Sequence, residues 1–282
     1  MLNSLIEDFI NLAIREDLGD GDHSSLACIP KHARGTAQLL AKEEGIIAGN
    51  EIARKIFRKM DRHAMFDQRM EEGSRISPGD VVFLIKTNVL SLLQAERLVL
   101  NIMQRMSGIA TQTARYVEAL KGLNTKVLDT RKTTPGMRLL DKEAVRIGGG
   151  ENHRFGLFDM ILLKDNHIDF AGGIEEAITR SKKYLTRKKK KLKIEIEARS
   201  LDDVKKILAT GGVDCIMLDN FSIPDTRTAV QIIAGKCEIE SSGGITLENL
   251  RSYAECGVDY ISVGALTHQI KSIDLSLKAI DY

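Results

Sequence analysis

The sequence predicts an α/β protein in two parts, an N-terminal α+β layer followed by an incomplete α/β barrel of six or seven strands. Three observations carry this. From Lys126 onward, short apolar segments (126–129, 160–164, 192–198, 215–219, 237–241 and 260–263) alternate with helix-patterned stretches. Their spacing of about twenty to thirty-five residues is what βα units require, and six units fall short of a complete eight-stranded barrel. Nearly every segment ends in charged or glycine-rich sequence. That fits a site spread round the C-terminal rim of a barrel better than the single switch point of a doubly wound sheet. Before Lys126, by contrast, strands and helices follow no regular alternation, the mark of an α+β arrangement.

Composition excludes several functions. The 282 residues are 43% hydrophobic and 28% charged, an ordinary globular balance. Lys+Arg 41 against Asp+Glu 39 leaves a net charge of +2, so no global field is aimed at nucleic acid. Tryptophan is absent and aromatics are 5%, too few for base-stacking platforms. No run approaches the ~18 apolar residues of a membrane span. The N-terminal segment carries acids from Glu7 on, unlike a signal or transit peptide. Cys28, Cys215, Cys237 and Cys256 lack metal-ligand spacing and read as thiols of a reducing compartment. A cytoplasmic protein is expected.

Taken in order, residues 3–17 have apolar positions at helical spacing and stop at Gly19-Asp20-Gly21-Asp22. Residues 36–42 and 81–86 read as strands, with a helix over 51–60 capped by Asn50 between them. A long apolar helix over 90–120 is expected to break or bend at Ser107-Gly108. The lysine run 187–191 lacks aromatic neighbours and reads as a solvated loop.

The chemistry gathers where the barrel strands end. Lys193-Ile194-Glu195-Ile196-Glu197 alternates strictly, so the isoleucines face the outer helices and the charges face inward. By the same parity Asp219 points inward with Met217 and Cys215, and Asp129 and Lys164 are expected to end their strands inward. Glu197 and Asp219, on neighbouring strands, make a carboxylate pair suited to Mg²⁺ or to a positive centre on a sugar ring. Ser241-Ser242-Gly243-Gly244 and Val263-Gly264 are expected to open helices and to cradle a phosphate with backbone N–H groups and a helix dipole. Arg131-Lys132 and His153-Arg154 flank three glycines, and Lys164 and His167 follow. So many cations on a near-neutral chain suggest a polycarboxylate beside a phosphorylated sugar.

The stretches DTRKTTPGMRLLDKEAVRIGGGENHRFGL, LLKDNHI, MLDN, SSGGI and GVDYISVGALTH resemble quinolinate phosphoribosyltransferase. EDLGDGD and QAERLVLNIMQRMSGIAT extend the likeness over nearly the whole chain. The resemblance implies an N-terminal α/β sandwich over 1–108, joined by the tail 270–282, and an incomplete barrel over 109–269. It implies transfer of phosphoribose from 5-phosphoribosyl-1-pyrophosphate to quinolinate with loss of CO₂, using Mg²⁺. Arg131, Lys132, His153, Arg154 and Lys164 would hold quinolinate and nearby phosphates. Glu197 and Asp219 would hold the ribose hydroxyls and the metal, with Glu195 able to exchange roles with Glu197. Ser242, Gly243, Gly244, Gly264 and His268 would line the 5-phosphate site. Arg97 would reach the site of a partner subunit in a homodimer. The alternatives are a relative with another acceptor, or a non-catalytic barrel that binds phosphorylated ligands.

Overall fold

The computed structural model describes residues 2–281, which divide into two compact units. The first unit holds residues 1–114, 133–149 and 267–282; the second holds 115–132 and 150–266. The expected division at 108/109 differs from this grouping: 109–114 and 133–149 go with the first unit.

In the first unit, helices α1 (Leu2–Leu18) and α2 (His23–Cys28) precede strand β1 (Arg34–Ala41). The short pair β2 (Gly45–Ile46) and β4 (Arg75–Ile76) flanks helix α3 (Asn50–Met60) and strand β3 (Met65–Gln68). Strand β5 (Val81–Asn88) then runs into helix α4 (Val89–Ala119). Four strands form an antiparallel sheet in the order β12-β1-β5-β3, where β12 is Leu275–Asp281. Alternate residues of β1 are buried, as one covered face requires. The buried face of α3 carries Ile52, Ala53, Ile56 and Phe57, and the Phe57 ring meets Phe83 of β5 edge-on at 6.2 Å. Helix laid on sheet makes the sandwich. Asn50 does not cap α3: Glu72 accepts the N–H groups of Gly49 and Asn50 (3.0 Å for Asn50).

Helix α4 also runs unbroken through Ser107-Gly108, against expectation. Gly108 is there for proximity: a Cβ would fall 2.3 Å from the carbonyl oxygen of Lys271. Helix α5 (Arg138–Ile147) belongs to this unit as well. Asp141 on α5 is fully buried and takes both Nε and Nη2 of Arg105 on α4 at 2.9 Å.

The second unit is built on six parallel strands: β6 (Lys126–Leu128), β7 (Ile161–Leu163), β8 (Ile194–Ala198), β9 (Cys215–Asp219), β10 (Glu238–Ser242) and β11 (Tyr260–Ser262). Their order, β6-β11-β10-β9-β8-β7, sets the first strand beside the last, the cyclic order of a barrel. Among the described residues the ladder is missing only between the first and second of these strands, β6 and β7. There Glu151 makes a single parallel bridge to Leu128 along the free edge of β6, so the chain entering His153 runs along the gap. Helices α6 (Asp165–Ala171), α7 (Ile174–Lys188), α8 (Leu201–Thr210), α9 (Ile223–Ile233), α10 (Leu250–Ala254) and α11 (Ala265–His268) complete the alternation. The lysines at 188–191 close α7 and are exposed.

Candidate active site

Strand register arranges the inward residues in rungs. Glu195 lies level with Leu162, Cys215 and Glu238; Glu197 lies level with Met217, Glu240 and Tyr260; Asp219 pairs with Ser242 at the C-terminal ends. Alternation sends all of these to one face. Ile194, Ile196, Ile216, Leu218, Ile239 and Ile261 take the other face and are buried. Burying this many carboxylates is costly unless each finds a partner, and two clusters supply partners.

The first cluster is at the mouth. Lys164, the residue after β7, bonds Glu197 Oε1 through Nζ, while Asp165 N–H donates to Oε2 at 3.1 Å. His167 Nδ1 accepts Lys164 N–H at 3.0 Å and fixes the first turn of α6. Glu197 is 6% exposed, whereas the Lys164 side chain is half-exposed. The cation thus faces outward from a buried acid.

Beside it, His153 lies between two acids, Glu195 one rung below Glu197 and Glu240 level with it. Its Nε2 is 3.0 Å from Glu195 Oε2 and 3.4 Å from Glu240 Oε2, and its Nδ1 accepts Arg154 N–H at 2.7 Å. Burial lowers the imidazole pKa and the hydrogen bonds and charges of Glu195 and Glu240 raise it; with Nδ1 accepting Arg154 N–H, the ring proton sits on Nε2, between the two carboxylates. Burial and the neighbouring Glu195 charge push Glu240 up in turn. Both glutamates are thus inward: Glu197 at the rim and Glu195 below it.

Asp129 does not end its strand inward. β6 stops at Leu128, and alternation puts Asp129 with Val127 on the face away from the interior. Its carboxylate is fully buried and accepts the His153 N–H at 2.9 Å. Aspartate here sets the backbone of the His153-Arg154 segment.

Arg154 is buried, and burial followed by the Arg131 charge lowers its pKa, against the pull of Glu195, Asp159 and Glu197. Two guanidiniums therefore share the neighbourhood of the inward acids. Arg131 Nε is buried without a hydrogen-bond partner, and Lys132 is exposed with its N–H bonded to Thr130 Oγ1 at 3.0 Å.

Further along the same rim, Asn220 holds a left-handed φ of 55°. Its N–H donates to the Ser242 carbonyl at 2.8 Å and its amide to Asp219 Oδ2 at 3.0 Å. Ser262 Oγ donates to Ser242 Oγ at 3.0 Å. Gly243, at φ +93°, lies so close that a Cβ would fall 2.2 Å from Asn220 Oδ1. Only glycine suits that φ and that gap together. The expected helix opening after Gly243-Gly244 is corrected, whereas α11 does open directly after Gly264. After Ile245 the chain turns on Asn249, whose Oδ1 accepts Thr246 N–H and whose amide reaches the Gly244 carbonyl. Helix α10 starts only at Leu250, and α11 after Gly264 has four residues. An anion here would be held by turn N–H groups, with little help from a helix dipole.

Lys164, Glu197, Asp219, Ser242 and Gly243 therefore share one end of one sheet, with His153, Arg154 and Arg131 beside it. Arg97 and His268 belong to the first unit and are exposed. Glu240 was not expected. Its signal was nonetheless present: Glu238-Ile239-Glu240-Ser241 alternates as Lys193–Glu197 does.

Comparison with known proteins agrees with this geometry. Residues 22–107 match the family model "Quinolinate phosphoribosyl transferase, N-terminal domain", and residues 109–278 match its C-terminal counterpart. The chain is similar to the chloroplastic nicotinate-nucleotide pyrophosphorylase [carboxylating] of Oryza sativa subsp. japonica, 43% identical over 284 residues, 95% of this chain and 76% of the relative. It is 39% identical over 272 residues to a probable nicotinate-nucleotide pyrophosphorylase [carboxylating] of Bacillus subtilis, 96% of this chain and 92% of that one. Among solved structures, NadC from Streptococcus pyogenes superposes with a TM-score of 0.91 at 42% identity, covering 98% of this chain and 97% of the other.

Proposed function

Because this chain belongs to the quinolinate phosphoribosyltransferase family, we propose that its barrel mouth is where quinolinate and 5-phosphoribosyl-1-pyrophosphate react. The products are nicotinate mononucleotide, pyrophosphate and CO₂. The observation that carries this reading is the convergence of Lys164–Glu197, Asp219 and the Gly243 turn on one end of the sheet, beside Arg131 and Arg154. A dicarboxylate needs the cations, and a phosphorylated sugar needs the turn and the acids.

The reaction follows from these charges. The pyridine nitrogen forms a bond to ribose C1 as the C1–oxygen bond breaks, and pyrophosphate leaves with the electron pair. Positive charge at C1 develops facing Glu197 and Asp219, which stabilise it. The alkylated nitrogen is then cationic. It accepts the charge left on the adjacent ring carbon when the C–CO₂ bond breaks, and a proton fills that carbon. The ring is its own electron sink.

Magnesium belongs to this proposal. The donors fit a hard cation that takes most of its shell from substrate oxygens: Glu197 has its oxygens on Lys164 and Asp165, and Asp219 uses Oδ2 for Asn220. Asp219, joined by Glu197 once Lys164 turns to substrate, would hold it. When bound, the ion supplies positive charge to the pyrophosphate oxygens. Lys132 adds charge for quinolinate, and Ser242, Gly244 and Gly264 contribute to the 5-phosphate site.

The deciding experiment is CO₂ release from carboxyl-labelled quinolinate. Release dependent on 5-phosphoribosyl-1-pyrophosphate, with no nucleotide formed from nicotinate, is the expected result. Nicotinate as the better acceptor would move the chain to a sibling activity. Binding without turnover would make it a sensor.

A homodimer is part of the reading, with Arg97, exposed on α4 and given no ion pair within its own chain among the described residues, completing the partner's site. Mixed Arg97→Ala and Lys164→Met subunits should then regain up to about a quarter of wild-type activity, by random pairing in a symmetric dimer. Mixtures as inactive as their parents would reject the shared site. Among the described residues no helix is long and apolar enough to cross a membrane.

A further inference from the structure

We infer that Glu195 and Glu240 are positioning residues that act on the bound dicarboxylate through His153 and Arg154. The inference rests on the reading of the barrel mouth given above. Its basis is that the protein itself uses both ring nitrogens of His153. Nε2 lies between the two carboxylates, Nδ1 accepts Arg154 N–H, and Asp129 holds the His153 N–H from the other side. An imidazole engaged on both edges is poorly placed to bind substrate. It is well placed to fix the backbone from which the Arg154 guanidinium projects.

The charge arrangement says why two acids are needed. Arg154 and Arg131 repel one another, and a pocket for two carboxylates requires them side by side. Glu195 and Glu240 are 2% and 1% exposed, and each keeps one buried oxygen, Oε1, without a hydrogen-bond partner. A single imidazole does not neutralise two such carboxylates. The charge of Glu195 acts on Arg154 against the repulsion of Arg131, so the cluster offsets part of the cost of setting the two guanidiniums near one another. A cavity of about 190 Å³, lined by His153, Arg154, Glu195 and Glu240 among others, adjoins the cluster. Room beside it means that packing alone does not clamp the imidazole, so the acids must.

The sign of one mutation separates positioning from simple electrostatics. A carboxylate near a dianion site weakens binding by Coulomb repulsion, so deleting its charge should by that effect lower KM for quinolinate. Positioning predicts the reverse. Glu240→Gln keeps shape and hydrogen bonding, and should raise KM for quinolinate about 10-fold, the usual loss for one charge-assisted hydrogen bond. KM for 5-phosphoribosyl-1-pyrophosphate should stay within about twofold and the melting temperature close to wild type. Glu195→Gln serves as the second variant should Glu240→Gln fail to fold, with the same expected change. In the double variant the two effects should fall short of multiplying, because both act through one imidazole.

A fall in KM for quinolinate, or equal changes in both KM values, overturns the inference. So does a divalent metal that survives dialysis in the wild-type protein and is lost in Glu240→Gln, since the cluster would then be a metal site. Wild-type turnover is measured first. Its absence would count against the proposed reaction, whereas wild-type turnover with an unmoved Glu240→Gln KM would count against the positioning role alone.

Discussion

Lys164→Met should lower kcat/KM for quinolinate by roughly 10²–10³-fold, the loss typical of removing one preorganised charge contact from a site. Methionine keeps much of the stem and removes the ammonium. In the resting protein that ammonium neutralises Glu197, whose other oxygen is held by Asp165 N–H. Without it Glu197 keeps one backbone donor and its full charge, and the mouth loses the cation that would meet an incoming carboxylate or phosphate. The effect on stability should be small. The Lys164 side chain is half-exposed, so solvent already screens the pair, and Glu197 keeps the Asp165 N–H when the ammonium is gone; a loss of about 1 kcal/mol is expected. A near-normal melting temperature with collapsed kcat/KM is therefore the expected pair of results. Turnover within about twofold of wild type would remove Lys164 from the machinery and leave it a surface partner of Glu197.

The rim residues were legible because strand alternation is a strong local rule. Lys193–Glu197 shows its period in five residues, and the register places Glu195 and Glu197 as that period requires. Asp129 shows the limit of the rule. Its apolar run, Val127-Leu128, is too short to show which residue faces inward, and only the register of β6 against β11 decides that. The phosphate turn failed differently. Small residues announce a tight turn, but not whether a helix follows at once, and here Asn249 interposes a turn. The expected break at Ser107-Gly108 treated glycine as a conformational signal, whereas its reason is the carbonyl of a residue more than 160 positions later. Contacts of that kind leave no periodic trace. The same holds for His153, whose partners lie on β8 and β10.

Asp141→Ala should destabilise the first unit by about 3–5 kcal/mol, the cost of breaking a buried ion pair and stranding one partner. Asp141 is fully buried, and its carboxylate takes two parallel bonds from Arg105 at 2.9 Å and the Thr134 N–H at 3.1 Å. Arg105 also donates to the Thr267 carbonyl at 3.0 Å. One carboxylate thus ties together α4, α5 and the chain at Thr134 and Thr267, next in sequence to Arg131-Lys132 and to Gly264 and His268. Without it, a largely buried guanidinium loses its counter-charge and the Thr134 N–H loses its acceptor. Arg105→Ala should cost a similar amount, and the double alanine variant clearly less than the sum, because the second change removes a charge the first had already stranded. Replacing both by apolar residues of like size, Arg105→Met with Asp141→Leu, should recover much of the loss, since desolvating the pair is itself expensive. Denaturant midpoints for the four variants decide it. An Asp141→Ala midpoint close to wild type would mean that the carboxylate is not holding these segments together.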